Sequence, residues 1–213
     1  MMQKIFKRMG GALLVLLLAA PVYAGGLGLF FSGGERNAEW DGDYSNVEVE
    51  GRHRDFGFSV DSNLATDRLF NYRLEFGRAE WSFDEFSGVS VGGDVDGLVM
   101  NHDFGFGGMV APSVRLWFGP EIRLTLLDGD LDGVAARDID LFGYGVGGAI
   151  GVNVNLPGRM TVAAKTGFVM MRYLGDGPNW DGVSWRNSDY DVDEDLVYLG
   201  LSIFFRTKRS GME

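Results

Sequence analysis

The chain has 213 residues with 33 glycines, no cysteine, 13% aromatic residues and a formal net charge of −11. Without cysteine there is no disulfide framework and no thiolate for metal or redox chemistry. So acidic a chain does not seek nucleic acid, and abundant glycine with many aromatics argues for short, tightly placed strands rather than helices.

Residues Met1 to Ala24 carry Lys4, Lys7 and Arg8, then the apolar run Ala12 to Ala20, then Val22-Tyr23-Ala24 before Gly25-Gly26. That is the layout of a secretory signal peptide with a small-residue cleavage site. The run falls short of the roughly 20 apolar residues that a spanning helix needs, and no later segment qualifies. Removing it leaves 189 residues, the size of one domain. Without the three basic signal residues the 19 Lys and Arg become 16 against 30 acidic residues, a net charge of −14.

Eight segments follow in which apolar residues of one parity oppose glycine or polar residues of the other, the period of a strand. Gly26 to Gly33 sets Leu27, Leu29 and Phe31 on one face. Arg52 to Asp61 opposes Phe56, Phe58 and Val60 to Asp55, Gly57 and Ser59. Phe70 to Phe83 opposes Phe70, Tyr72, Leu74 and Phe76 to Asn71, Arg73, Glu75 and Gly77. Leu98 to Met109 sets Leu98, Met100, Phe104 and Phe106 against Asn101, Asp103, Gly105 and Gly107. The fifth opposes Val114, Leu116, Phe118, Ile122 and Leu124 to Arg115, Trp117, Glu121 and Arg123. In the sixth, Phe142, Tyr144, Val146, Ile150 and Val152 face away from a column of Gly143, Gly145, Gly147 and Gly151. Met160 to Arg172 opposes Val162, Ala164 and Phe168 to Thr161, Lys165 and Gly167. The last, Asp195 to Arg206, alternates Val197, Leu199, Leu201, Ile203 and Phe205 with Tyr198, Gly200, Ser202 and Arg206.

Connections alternate between short (Asp61 to Leu69, Ala111 to Ser113, Pro157 to Arg159) and long (Gly34 to Glu50, Asp84 to Asp96, Asp128 to Asp138, Gly175 to Glu194). Short periplasmic turns and long outer loops characterise transmembrane barrels, and an even strand count puts both termini on the periplasmic side. Twelve large side chains of the apolar parity will not fit inside an eight-stranded barrel, whose interior is barely wide enough for side chains. The apolar face therefore points to lipid, and a lipocalin-like soluble barrel is rejected. The glycine column is read as room for long lumenal side chains such as Arg123 and Lys165. The predicted lumen brings Arg73, Arg115, Arg123 and Lys165 together with Asp55, Glu75, Asp103 and Glu121, a charge-paired plug, since an unpaired buried charge is expensive.

Tyr198-x-Gly200-x-x-Ile203-x-Phe205 resembles the C-terminal signal by which outer-membrane barrels are recognised for assembly. With the signal peptide, the eight alternating strands and Phe70-Asn71-Tyr72-Arg73-Leu74-Glu75-Phe76-Gly77, the chain is similar to the small outer-membrane barrels of the OmpA/OmpX type. The resemblance implies an all-β, eight-stranded, antiparallel up-and-down barrel over 25–206, with a short periplasmic tail over 207–213. It also implies the barrel assembly machinery as a partner of the last strand, and membrane-integrity, adhesion or surface-interaction roles. Such barrels commonly end on the signal's aromatic residue, whereas here Arg206 to Glu213 follow Phe205.

The four long stretches, extended to Asp140 and Asp195, hold 22 acidic residues against Arg36, Arg137 and Arg186. Just below them Arg52, Arg54, Arg78 and Arg172 have lipid-facing parity, and guanidinium groups there suit lipopolysaccharide phosphates; a solvated rim is the alternative. Asp128, Asp130 and Asp132 copy the opening of a calcium loop, but Ile139 stands where its bidentate glutamate belongs; diffuse divalent cations at the acidic stretches are the weaker expectation. No catalytic, cofactor or dedicated metal residue is assigned. A lipid A deacylase would need a serine beside a histidine base, and the only histidines are His53, of lumenal parity, and His102, of lipid-facing parity. Pro120, on the lipid face, removes a ladder donor and marks a bulge. The expected function is a non-enzymatic outer-membrane barrel with a plugged lumen. A narrow porin-like channel is the alternative and a lipid A-modifying enzyme the third.

Overall fold

The computed structural model describes residues 25–42, 46–86, 93–131, 138–180 and 185–207. They form eight strands: β1 (Gly26–Gly42), β2 (Asn46–Asp61), β3 (Phe70–Phe86), β4 (Gly93–Ala111), β5 (Val114–Leu131), β6 (Asp138–Asn155), β7 (Met160–Trp180) and β8 (Trp185–Arg206). Each pairs antiparallel with its chain neighbour, and β8 pairs with β1, so the sheet closes with no free edge. Following the cross-strand partners from Ser32 of β1 through every strand returns to β1 at Gly42, ten residues further along. A stagger of that size is the geometric consequence of strands tilted to the barrel axis. The expected short turns lie between β2 and β3, β4 and β5, and β6 and β7. The proposed signal peptide and residues 208–213 lie outside the described residues.

Outward-facing Leu29, Phe58, Phe118, Ile150, Leu199 and Phe205 are each more than half exposed, while Asn71, Asp103, Arg115, Glu121 and Asn153 are fully buried inside. This is the arrangement that parity demands of a lipid-facing wall around a polar lumen.

Towards the outer end the arrangement inverts. Trp40, Val49, Trp81, Val95, Leu127, Ile139, Leu141, Tyr173, Tyr190 and Val192 turn inward into one apolar cluster. Glu35, Glu39, Asp41, Asp189, Asp191 and Asp193 face out. The expected long loops are corrected accordingly: most of the acidic stretches are continuations of the strands, leaving interruptions of 43–45, 87–92, 132–137 and 181–184 outside the described residues. Alternating acid with apolar or aromatic residues is itself a strand pattern with one face in water. Acid density alone is a poor guide to a loop.

The glycine column makes room, but for different neighbours than expected. A methyl group at Gly143 would strike the Tyr173 ring, at Gly145 the Met171 sulfur, at Gly151 the Trp117 ring and at Gly147 the Phe168 carbonyl. Lys165 instead lies beside Gly200. Pro120 marks no bulge. Pairing of β4 with β5 keeps one register from Asp103↔Glu121 to Phe106↔Phe118 and is only interrupted between them, because proline offers no N–H to the ladder. The register shifts that do occur fall at Glu50/Gly51 and Met109/Ala111.

Candidate functional site

The lumen is where the chain gathers its chemistry. All eight charged side chains expected there are present and buried. Arg123, from β5, reaches across to Asp55 of β2 with both terminal nitrogens, at 2.9 and 3.0 Å, and Ser32 donates to the same carboxylate at 3.0 Å. Lys165, from β7, sits 2.9 Å from Glu75, 2.9 Å from Asp103 and 3.9 Å from Glu121. Glu121 also accepts the Tyr198 hydroxyl, and Asn101 donates to Glu75 at 3.3 Å. The Arg123–Asp55, Lys165–carboxylate and Tyr198–Glu121 contacts join strands that are not neighbours in the sheet, so they hold the bore as well as fill it.

Among the described residues four further charges, Asp61, Arg36, Glu194 and Arg206, are buried in the barrel beyond the expected eight. Arg73 is held by Asp61 at 2.8 Å and donates to Asn153 at 2.9 Å. Arg36 pairs with Glu194 at 2.9 Å and lies 3.4 Å over the Trp81 ring. Arg206 donates to the Leu156 and Gly158 carbonyls at 2.8 and 2.9 Å. Asp61 shares parity with Asp55, which could have placed it; Arg36 and Glu194 fall in stretches taken for loops.

Both mouths of the described barrel carry packed side chains. At the periplasmic end the connection 62–69 turns inward: Leu64 is buried against Ala163 and Phe204. Asn63 fixes that turn by donating to the Arg68 carbonyl at 2.9 Å while accepting the Thr66 hydroxyl at 2.6 Å. At the outer end the aromatic edges of Trp40 and Tyr190, and of Trp81 and Tyr173, close over the charges.

Outside, Arg52, Arg54, Arg78 and Arg172 are exposed as parity predicts. Arg52, Arg54 and Arg78 share one patch of β2 and β3, and Arg172 stands apart on β7. Arg78 contacts Glu80 at 3.3 Å and Asp96 at 3.0 Å, and Arg172 contacts Asp191 at 3.0 Å. Asp96, Asp128, Asp140, Asp176 and Asp189 lie directly opposite one another on five successive strands, above the apolar belt. Partial burial, then the charges of Asp96 and Asp140, raise the pKa of Asp128. A hydrogen bond with Asp189, partial burial, and the charges of Asp189 and Asp140 raise that of Asp176. Among the described residues no group of three or more His, Asp or Glu is arranged to hold a metal ion; Asp132 lies outside them. His53 is buried 3.8 Å from Asp55. His102 faces lipid, its Nδ1 2.7 Å from the Tyr72 hydroxyl.

No family description matches the chain, and comparison with characterised protein sequences gives no match. Among solved structures the chain is similar to the outer membrane protein OprG from Pseudomonas aeruginosa, with a TM-score of 0.57 and 12% identity over 84% of this chain and 97% of that one. Neisserial surface protein A aligns at 11% identity and a TM-score of 0.40 over 84% and 96% of the two chains. The outer membrane protein AlkL aligns at 11% and 0.40 over 86% and 92%. The protein has the fold of the small eight-stranded outer-membrane barrels, and that fold supports a place in the bacterial outer membrane.

Proposed function

We propose that this outer-membrane barrel is non-enzymatic and plugged, with a structural or surface-interaction role in membrane integrity or adhesion that is carried by its acidic outer half. The observation that supports it is the transverse pairing of Arg123 with Asp55 and of Lys165 with three carboxylates, all buried, beneath a cap of packed aromatic rings. A filled bore of this kind leaves the outer wall as the surface at which the protein meets anything else. Lipopolysaccharide phosphates belong, on this reading, with the Arg52, Arg54 and Arg78 patch. Simultaneous replacement of the three by glutamine lowers lipopolysaccharide retention if that contact exists and leaves it unchanged if the patch is a solvated rim.

The second reading, a narrow channel, is favoured by buried lumenal atoms that have no hydrogen-bond partner among the described residues, among them Glu75 Oε1, Asn101 Oδ1 and Thr125 Oγ1, since such atoms call for water. Planar-bilayer recording of the refolded barrel separates the two. The plugged reading predicts silence from wild type, with folding verified by heat-modifiable gel mobility. Steady conductance that shifts in Glu121→Ala puts the channel first. Lipid A that changes with the protein and reverts in His102→Ala would instead favour an enzyme.

A further inference from the structure

We propose that a dent in the outer wall at Gly148 and Pro120 seats one acyl chain of a membrane lipid. Gly148 faces outward on β6, directly opposite Pro120 of β5 and Phe168 of β7. Phe106, Phe118, Ile150 and Thr166 complete the walls of the depression.

Its depth in the membrane follows from the sequence. Outward apolar residues run from Val114 to Leu126 on β5 and from Phe142 to Val154 on β6. Pro120 lies six residues from each end of the first run, and Gly148 six from each end of the second. The dent is therefore at the middle of the belt on these strands, out of reach of lipid headgroups.

Packing within the protein does not account for the missing side chain. Gly143, Gly145, Gly147 and Gly151 of the same strand each avoid a clash, whereas a Cβ at Gly148 would meet nothing nearer than the Gly119 carbonyl oxygen at 3.7 Å. Glycine and proline are the two residues that serve a strand worst, and here they stand side by side at the belt centre. They leave space that a larger residue could occupy without strain. Rings and an isoleucine line it, and it offers little polarity: the Thr166 hydroxyl is committed to the Tyr198 carbonyl at 2.8 Å, and Pro120 has no N–H. A hydrocarbon chain gains dispersion contacts in such a recess, while a headgroup, sugar or ion would find nothing to bind.

The test uses the folded barrel in palmitoyl-oleoyl phosphatidylcholine vesicles containing phosphatidylcholine spin-labelled near the methyl end of one chain. Electron spin resonance counts the motionally restricted lipids per barrel. Gly148→Leu, which fills the dent, is expected to lose a single restricted lipid relative to wild type, and Ala164→Leu, elsewhere on the belt, to lose none. Should Gly148→Leu fail the gel-mobility check for folding, Gly148→Ala and Pro120→Leu give the same comparison. Equal counts in wild type and the filled variants overturn the proposal. It is equally overturned if wild type crosslinks as a dimer that the filled variants abolish while their lipid count rises, which would make the dent a contact between two copies.

Discussion

Replacing Arg123 by methionine would leave the Asp55 carboxylate buried with, among the described residues, the Ser32 hydrogen bond and His53 at 3.8 Å but no guanidinium to balance it. Breaking a buried pair in this way costs about 3–5 kcal/mol, whereas replacing both partners by apolar residues of similar size is close to neutral. Urea unfolding in detergent micelles is therefore expected to show Arg123→Met strongly destabilised and the double variant Arg123→Met, Asp55→Leu largely restored. A double variant as weak as the single one would mean that the pair is not the unit of stability. Gly151→Ala carries a separate cost: its methyl meets the Trp117 ring, and overpacking of this kind costs about 1–3 kcal/mol by the same assay. Parity alone was enough to place Asp55, Glu75, Asp103 and Glu121 inside with Arg73, Arg115, Arg123 and Lys165, although Arg73 turns to Asp61 and Arg115 to the Leu69 carbonyl and Asn71. It could not say that Arg123 takes Asp55 and Lys165 the other three, because those contacts cross the bore and depend on stagger and tilt, which no single strand records. For the same reason the glycine column was legible as a need for room, while the rings that fill it were not.

Within the strands, the row Asp96, Asp128, Asp140, Asp176 and Asp189 sets like charges in register, which opposes pairing. A carboxyl whose pKa is higher in the folded than in the unfolded state is favoured by protonation. The stability that protonated Asp128 and Asp176 contribute is therefore complete below about pH 4, the unfolded value, and is lost as pH rises through the folded value. Both lie near the surface, so solvent screening holds the effect to roughly a few tenths of a kcal/mol each. The variant Asp128→Asn, Asp176→Asn is expected to melt higher than wild type at pH 7 and to lose part of the difference between pH 4 and pH 7. Parallel melting profiles would remove the row from the account. The elements carrying these aspartates were only half legible. Asp189, Asp191, Asp193 and Asp195 alternate with Tyr190, Val192, Glu194 and Leu196 as a strand should, yet their acidity outweighed their period. The inward fold of Leu64 had no comparable signal, since a single leucine in a polar turn carries no periodicity.

For the whole molecule, strands of 16 to 22 residues are well beyond the about 9–11 that cross a bilayer. The surplus is the outer half, where the apolar side of the wall turns inward. One barrel thus has two solvents, and the boundary between them passes between Leu126 and Asp128 on β5 and between Val197 and Asp195 on β8. Because the chain has no cysteine, single cysteines can locate that boundary without background. On intact cells a membrane-impermeant maleimide is expected to label Asp128→Cys and Asp191→Cys. It should leave Leu124→Cys and Leu199→Cys unlabelled, since lipid covers them, and Val192→Cys unlabelled, since the outer core does. Ser113→Cys, in the exposed turn after β4, should react only once the outer membrane is permeabilised. If Ser113→Cys reacted on intact cells while Asp128→Cys did not, the barrel would stand the other way up in the membrane. If Leu199→Cys reacted as fast as Asp191→Cys, no lipid would cover the belt. The exposed apolar residues would then need another partner, because a wall carrying Phe58, Phe118, Leu199 and Phe205 this exposed is not one that water alone can surround.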